Sequence, residues 1–146
     1  MAGKNCQSVM QTLRQSAFAL VDMLLHTERD PAQDFMPLLD LVRDEVAVLQ
    51  PPSWSRTAHT FSHVFAGGYA AGYYSYKWAE VLSADAYAAF EETVGNDGLP
   101  NVQTGRKYRQ AILEAGGSRP AIESFKAFRG REPSLDALLR HQGMSK

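Results

Sequence analysis

Cysteine is all but absent. Cys6 is the only one in 146 residues, so no disulfide can form within the chain. A lone thiol suits a reducing compartment, and its default role is that of a small, half-buried side chain. No run of about 18 apolar residues occurs, so no membrane-spanning helix is expected. A basic segment followed by an apolar stretch, the mark of a secretory signal, is missing from the N-terminus. These features together predict a cytoplasmic protein. Charge of one sign is not in excess either: fifteen Lys and Arg meet sixteen Asp and Glu, for a net charge of −1. Neither nucleic acid nor a membrane surface is therefore expected as a partner. No segment alternates convincingly as a strand, and there is no internal repeat or low-complexity tract.

What is present is an ordinary globular composition, 45% hydrophobic and 21% charged. The length is that of a single helical domain, 1–146. Asn5 or Ser8 opens a first helix to about His26, with Met10, Leu13, Ala17, Leu20 and Leu24 on one face. Between Ala17 and Leu25 that helix is apolar nearly all round, so something outside the chain is expected to cover part of it. Asp22 is the one break in that stretch, either a satisfied buried carboxylate or a residue at a seam; the seam is preferred, since an unpaired buried charge is costly. Asp30-Pro31 ends the helix. Asp34 caps a second helix to about Leu49, with Pro37 in its first turn. Trp54 anchors the connector that follows.

Further helices are expected to about Val94, from Gly105 to Ala115 with Thr104 as cap, from Ser118-Arg119-Pro120 to Gly130, and after Ser134. Trp78, Val81, Leu82, Ala86, Ala89 and Phe90 form the core face of the longest of these. The fold class predicted is all-α, an irregular bundle of about six helices with a glycine-rich loop before a tyrosine-bearing helix.

That tyrosine-bearing stretch organises the chain. Four of the six tyrosines, Tyr69, Tyr73, Tyr74 and Tyr76, fall within eight positions, directly after Gly67-Gly68 and close to His63. If the helix begins at Tyr69, then Tyr69, Tyr73 and Tyr76 lie at i, i+4 and i+7 on one face, with Tyr74 and Trp78 on another. Such a stripe is as consistent with core packing as with a binding surface. His59 and His63, at i and i+4, have the spacing of a metal-binding pair, but Thr60 stands where a general-base glutamate belongs and no third ligand is evident. No metal ligand is assigned.

The run His63-Val64-Phe65-Ala66-Gly67-Gly68-Tyr69-Ala70-Ala71-Gly72-Tyr73-Tyr74-Ser75-Tyr76 resembles the zinc metallopeptidases of the thimet oligopeptidase and oligopeptidase A family. So do Trp78-Ala79-Glu80-Val81-Leu82-Ser83-Ala84-Asp85-Ala86 and, near the end, Phe125-Lys126-Ala127-Phe128-Arg129-Gly130-Arg131-Glu132-Pro133. The resemblance covers essentially the whole chain. The family's zinc motif, His-Glu-x-x-His, is missing: His26, His59, His63 and His141 are followed by Thr27, Thr60, Val64 and Gln142. The chain therefore looks like the C-terminal portion of the catalytic domain of such an enzyme.

The resemblance implies a set of roles. Tyr76 donates its hydroxyl to the tetrahedral intermediate and His63 bonds the substrate backbone. Tyr69, with Tyr73 in support, binds the peptide, and Gly67 and Gly68 let the loop close over it. It also implies zinc in the complete enzyme and none in this chain, short peptides as substrates, and no activity for the chain alone. The partner is then the missing zinc-bearing portion, or a second copy of the chain. The alternative is a non-catalytic helical module, derived from such an enzyme, that binds or oligomerises.

Overall fold

The computed structural model describes residues 5–27, 30 and 32–145. Among them there are seven α-helices and no strand, the all-α class expected. None of these helices is long and apolar enough to cross a membrane. The chain divides into two compact units, Met1–Trp78 and Ala79–Lys146.

The first unit holds α1 (Ser8–Thr27), α2 (Met36–Val46), a 3-10 turn (Thr57–Thr60), the single turn α3 (Ser62–Phe65) and the start of α4 (Ser75–Glu91). In α1 the usual burial pattern is inverted. Its only buried residue is Asp22, 1% exposed, while its apolar side chains are half-buried and Leu20 is 40% exposed. Asp22 is thus a satisfied interior carboxylate and not a seam residue; its hydrogen bonds make the burial affordable. An apolar groove of about 580 Å³ lies along α1, lined by Met10, Leu13, Phe18, Leu39, Val42 and Phe61 among others. Cys6, expected to be half-buried, is exposed.

In α2, Pro37 sits in the first turn and the Asp34 carboxylate accepts the Met36 N–H at 3.1 Å. The helix stops at Val46, three residues before the expected Leu49, because Ala47 turns to an extended conformation. The Arg43 carbonyl accepts both the Ala47 N–H at 2.8 Å and the Gln50 side-chain amide at 3.2 Å. Leu49 is left 75% exposed, and Trp54, expected as an anchor, is 76% exposed. Of the expected break at Asp30-Pro31, Pro31 lies outside the described residues.

The second unit holds the rest of α4, then α5 (Val102–Tyr108), which runs into a wide π turn (Arg109–Leu113), α6 (Ala121–Arg129) and α7 (Asp136–His141). Its core is Ala86, Ala89, Ala111, Phe125 and Phe128, with Leu82, Phe90, Tyr108 and Ile112 packed against it. Burial of Phe125 and Phe128 contributes about 1.5–3 kcal/mol each. A smaller cluster joins Ala84 and Ala88 to Ala137. Trp78, expected in the core, is about half exposed. The cap of α5 is Asn101 and not Thr104: its side-chain oxygen accepts the N–H groups of Gln103 and Thr104 at 2.8 and 3.4 Å. At α7 the Ser134 hydroxyl accepts the Asp136 N–H at 3.2 Å, as its position before the helix predicts. Gly130, at φ 78°, closes α6 in the left-handed conformation that glycine adopts without strain.

Asp85 is fully buried on α4. It accepts hydrogen bonds from Arg129 at 3.0 Å, from both terminal nitrogens of Arg131 at 2.7 and 2.6 Å, and from the Ser134 N–H at 2.8 Å. Arg129 also grips both oxygens of Glu92 at 2.8 Å. Burial pushes the Asp85 carboxyl up, but Arg131, the Ser134 N–H and Arg129 outweigh it and hold it below the ordinary range. Arg129 lowers Glu92 in the same way. Burial raises Glu91, but His141 and Arg140 outweigh it and bring it down.

A carboxylate lowered in the folded state binds its proton more readily when unfolded. The stability it confers is therefore complete above the unfolded pKa of about 4 and lost as pH falls through the lower folded value. The expected outcome is a thermal midpoint that is flat from neutral pH to about 5 and drops steeply below about 4. Circular dichroism melts across that range check it, and a midpoint unchanged to pH 3 would contradict it.

Candidate functional site

The tyrosine stretch is not a helix from its start. Residues 70–74 form consecutive turns, and α4 begins only at Ser75. The helical spacing expected of Tyr69, Tyr73 and Tyr76 is therefore corrected, yet the three rings still meet. Tyr69 and Tyr76 stack at 5.1 Å between centroids, and Tyr73 and Tyr76 lie 5.2 Å apart. The His63 ring stands 5.9 Å from Tyr69, 5.9 Å from Tyr73 and 6.3 Å from Tyr76, edge-on to the last two. Tyr74, the fourth tyrosine, is 50% exposed and outside this group.

Two glycines shape the entry to the turns. A Cβ on Gly67 would stand 3.0 Å from both the His63 Cα and its carbonyl oxygen, so the backbone admits only glycine without shifting. Gly68 takes φ 77° and reverses the chain, which lets the Tyr69 N–H donate to the His63 carbonyl at 3.1 Å. This bond ties the histidine and the first tyrosine of the group together through the backbone.

Three side chains of α1 complete the support. The Asp22 carboxylate accepts the Ala71 N–H and the Tyr73 N–H, each at 2.9 Å, one on each oxygen. Ala71 sits at φ 54°, a conformation costing a non-glycine residue about 1 kcal/mol. The Tyr73 hydroxyl donates to the Gln15 side-chain oxygen at 2.9 Å. Between them Phe18 packs on Phe61 and Tyr73 at 5.0 and 5.9 Å. Gln15, Phe18 and Asp22 are spaced i, i+3, i+7, which puts all three on one helix face.

The result is a graded layer. Tyr73 is buried, 8% exposed, with its hydroxyl engaged inside the fold, while Tyr69 and Tyr76 are 36% and 39% exposed and His63 is also open to solvent. Its hydrogen bond with Tyr69, then burial, then the charge that neighbouring phenols would carry push the Tyr76 phenol above the ordinary tyrosine range. Tyr76 therefore keeps its proton, and its capacity to donate, at neutral pH. The sequence reading missed Gln15 and the service Asp22 performs. The available signal was Asp22 itself, a single carboxylate within an apolar run.

His59 and His63 do not converge as a metal-binding pair requires. The His59 ring packs on Phe35 at 5.6 Å, whereas His63 packs on Phe61 and the tyrosines. Among the described residues no three His, Cys, Asp or Glu side chains gather as a metal site. The donors present do not fit zinc.

The model of Peptidase family M3 matches residues 1–144. Oligopeptidase A of Salmonella typhimurium is 51% identical over 146 residues, covering 99% of this chain and 21% of that protein. Oligopeptidase A of Escherichia coli is 49% identical over the same share of each. Saccharolysin of Saccharomyces cerevisiae is 34% identical over 143 residues, 97% of this chain and 20% of that protein. The chain thus spans about a fifth of the length of the curated relatives it matches. With the family match running almost end to end, the chain belongs to peptidase family M3.

Proposed function

We propose that this chain is the C-terminal, substrate-facing segment of an oligopeptidase A-like zinc metalloendopeptidase that hydrolyses short peptides. One observation carries the reading: His63, Tyr69 and Tyr76 gather as one exposed group of polar-tipped rings against the buried Tyr73. A surface of that kind offers hydroxyl and imidazole hydrogen bonds to a peptide backbone beside apolar ring faces.

In this reading Tyr76 donates to the oxyanion of the tetrahedral intermediate, and His63 bonds the substrate backbone. Tyr69 binds the peptide, and Tyr73 orients the rings above it. Gly67 and Gly68 form the bend that lets the loop approach the peptide backbone closely. Zinc, when bound in the complete enzyme, supplies the activated water; its ligands belong to polypeptide beyond these residues. That zinc-bearing portion is the partner. The location proposed is the cytoplasm, where the exposed Cys6 stays reduced.

The isolated chain is expected to hold far less than one zinc per chain after dialysis and to leave a short fluorogenic peptide intact. Joined to the zinc-bearing remainder of an oligopeptidase A, it is expected to yield a peptide-hydrolysing enzyme. About one zinc per isolated chain, or peptide hydrolysis by that chain alone, would overturn the assignment of the metal to other residues. A rejoined enzyme that binds zinc but cleaves nothing would favour the non-catalytic module.

A further inference from the structure

Asp22 has no role in the reading above, yet it is the only buried residue of α1 and lies beneath the tyrosine layer. Its two oxygens are assigned separately: Oδ1 to the Ala71 N–H and Oδ2 to the Tyr73 N–H, each at 2.9 Å. Those two donors flank Gly72 within the turns that connect Tyr69 to Tyr76. The His26 Nδ1 also lies 3.1 Å from Oδ1 and 2.7 Å from the Asp22 carbonyl oxygen.

An alanine at φ 54° is a strained position that persists where the contacts around it fix the backbone. The carboxylate does so across 49 residues of sequence. Relaxation at Ala71 would rotate the peptide planes between Tyr69 and Tyr73 and carry the Tyr69 ring out of its 5.1 Å stack on Tyr76. Neutral isosteres do not replace the group: an asparagine has one acceptor oxygen, so its NH₂ would face one of the two N–H donors.

We propose that Asp22 is a positioning residue, holding residues 69–74 in the one backbone conformation that brings the Tyr69 and Tyr76 hydroxyls together for peptide hydrolysis. The catalytic half of this statement rests on the function proposed above; the positioning half stands on the geometry alone.

The test uses Asp22→Asn in the full chain and in the rejoined, zinc-loaded enzyme. In the chain, the Ala71 and Tyr73 amides should exchange with solvent about tenfold faster or more, with second-unit amides such as Phe125 unaffected. Nuclear Overhauser contacts between the Tyr69 and Tyr76 rings should fade. Adding Ala71→Gly, which removes the left-handed strain, should restore part of both signals; a carboxylate that merely filled space would gain nothing from it. In the enzyme, Asp22→Asn should lower kcat by about tenfold to a hundredfold at full zinc content.

Unchanged amide exchange and ring contacts in Asp22→Asn would overturn the inference. So would altered ring contacts with parental kcat, in an enzyme that Tyr76→Phe does impair. If Tyr76→Phe is itself silent while the ring contacts fade in Asp22→Asn, the function fails and the positioning role stands. Should Asp22→Asn not fold, the parent chain decides. Amides of Ala71 and Tyr73 protected about tenfold or more over an unstructured peptide support the clamp, and unprotected ones overturn it.

Discussion

Changing Tyr76 to Phe in the rejoined enzyme lowers kcat by about 10²–10³ and leaves KM within a few-fold of the parent. The ring is kept, so the stack on Tyr69 and the edge contacts to His63 and Tyr73 persist; only the hydroxyl is lost. A donor aimed at a developing oxyanion binds the transition state better than the ground state, so its removal appears in the chemical step. The loss corresponds to about 2.7–4 kcal/mol, the usual effect of removing one such donor. Tyr69→Phe acts differently. Tyr69 is proposed to bind the peptide in ground and transition states alike, so its change raises KM more than it lowers kcat. Steady-state kinetics of both variants on one fluorogenic peptide, with zinc content measured, separates the two. Tyr76→Phe activity within about twofold of the parent would return the tyrosines to a packing role.

The second large effect is on stability. Asp85→Ala is expected to cost about 3–5 kcal/mol, the range for removing one partner of a buried ion pair. The substitution strips Arg129 and Arg131 of their shared carboxylate and leaves the Ser134 N–H without its acceptor. Arg129 is itself only 7% exposed, so water cannot fully take the place of Asp85. Glu92→Gln is a useful contrast. Glu92 is 57% exposed, and its pair with Arg129 is partly screened, so about 1 kcal/mol or less is expected. Urea unfolding of the two variants decides. Equal effects would mean that the network acts as a surface charge cluster and not as an interior anchor.

The helices were legible where local chemistry specified them. Pro37 in the first turn of α2, Ser134 before α7 and Gly130 after α6 each act through near neighbours, and each was placed. The errors lie where a distant residue decides. Periodicity carried α4 back to Tyr69 because four tyrosines at mixed steps of one, two and four imitate a helix. The N–H of Ala71, in the turns that replace the expected helix, is held by a carboxylate 49 positions earlier. Asp22 itself was misplaced for the same reason: its partners are backbone groups, which no side-chain pattern reveals. Trp54 and Trp78 were assigned to cores on hydrophobicity alone and are exposed. The motif shows which rings cluster, but not that Tyr73 is sunken while Tyr69 and Tyr76 stay open; the buried Tyr73 hydroxyl is met by Gln15, far away in the chain.

The reach of those bonds bears on how the molecule is made. Asp22 and Gln15 are synthesised about fifty residues before the backbone groups and the hydroxyl they hold. Closing a loop of that length carries an entropic cost that no contact within residues 61–78 repays, and contacts of such separation form slowly. As the chain leaves the ribosome, α1 must wait, with its carboxylate hydrated, until the tyrosines have emerged. A peptide cut to the motif alone would carry every residue proposed for chemistry and yet lack the Asp22 and Gln15 side chains that fix its buried side.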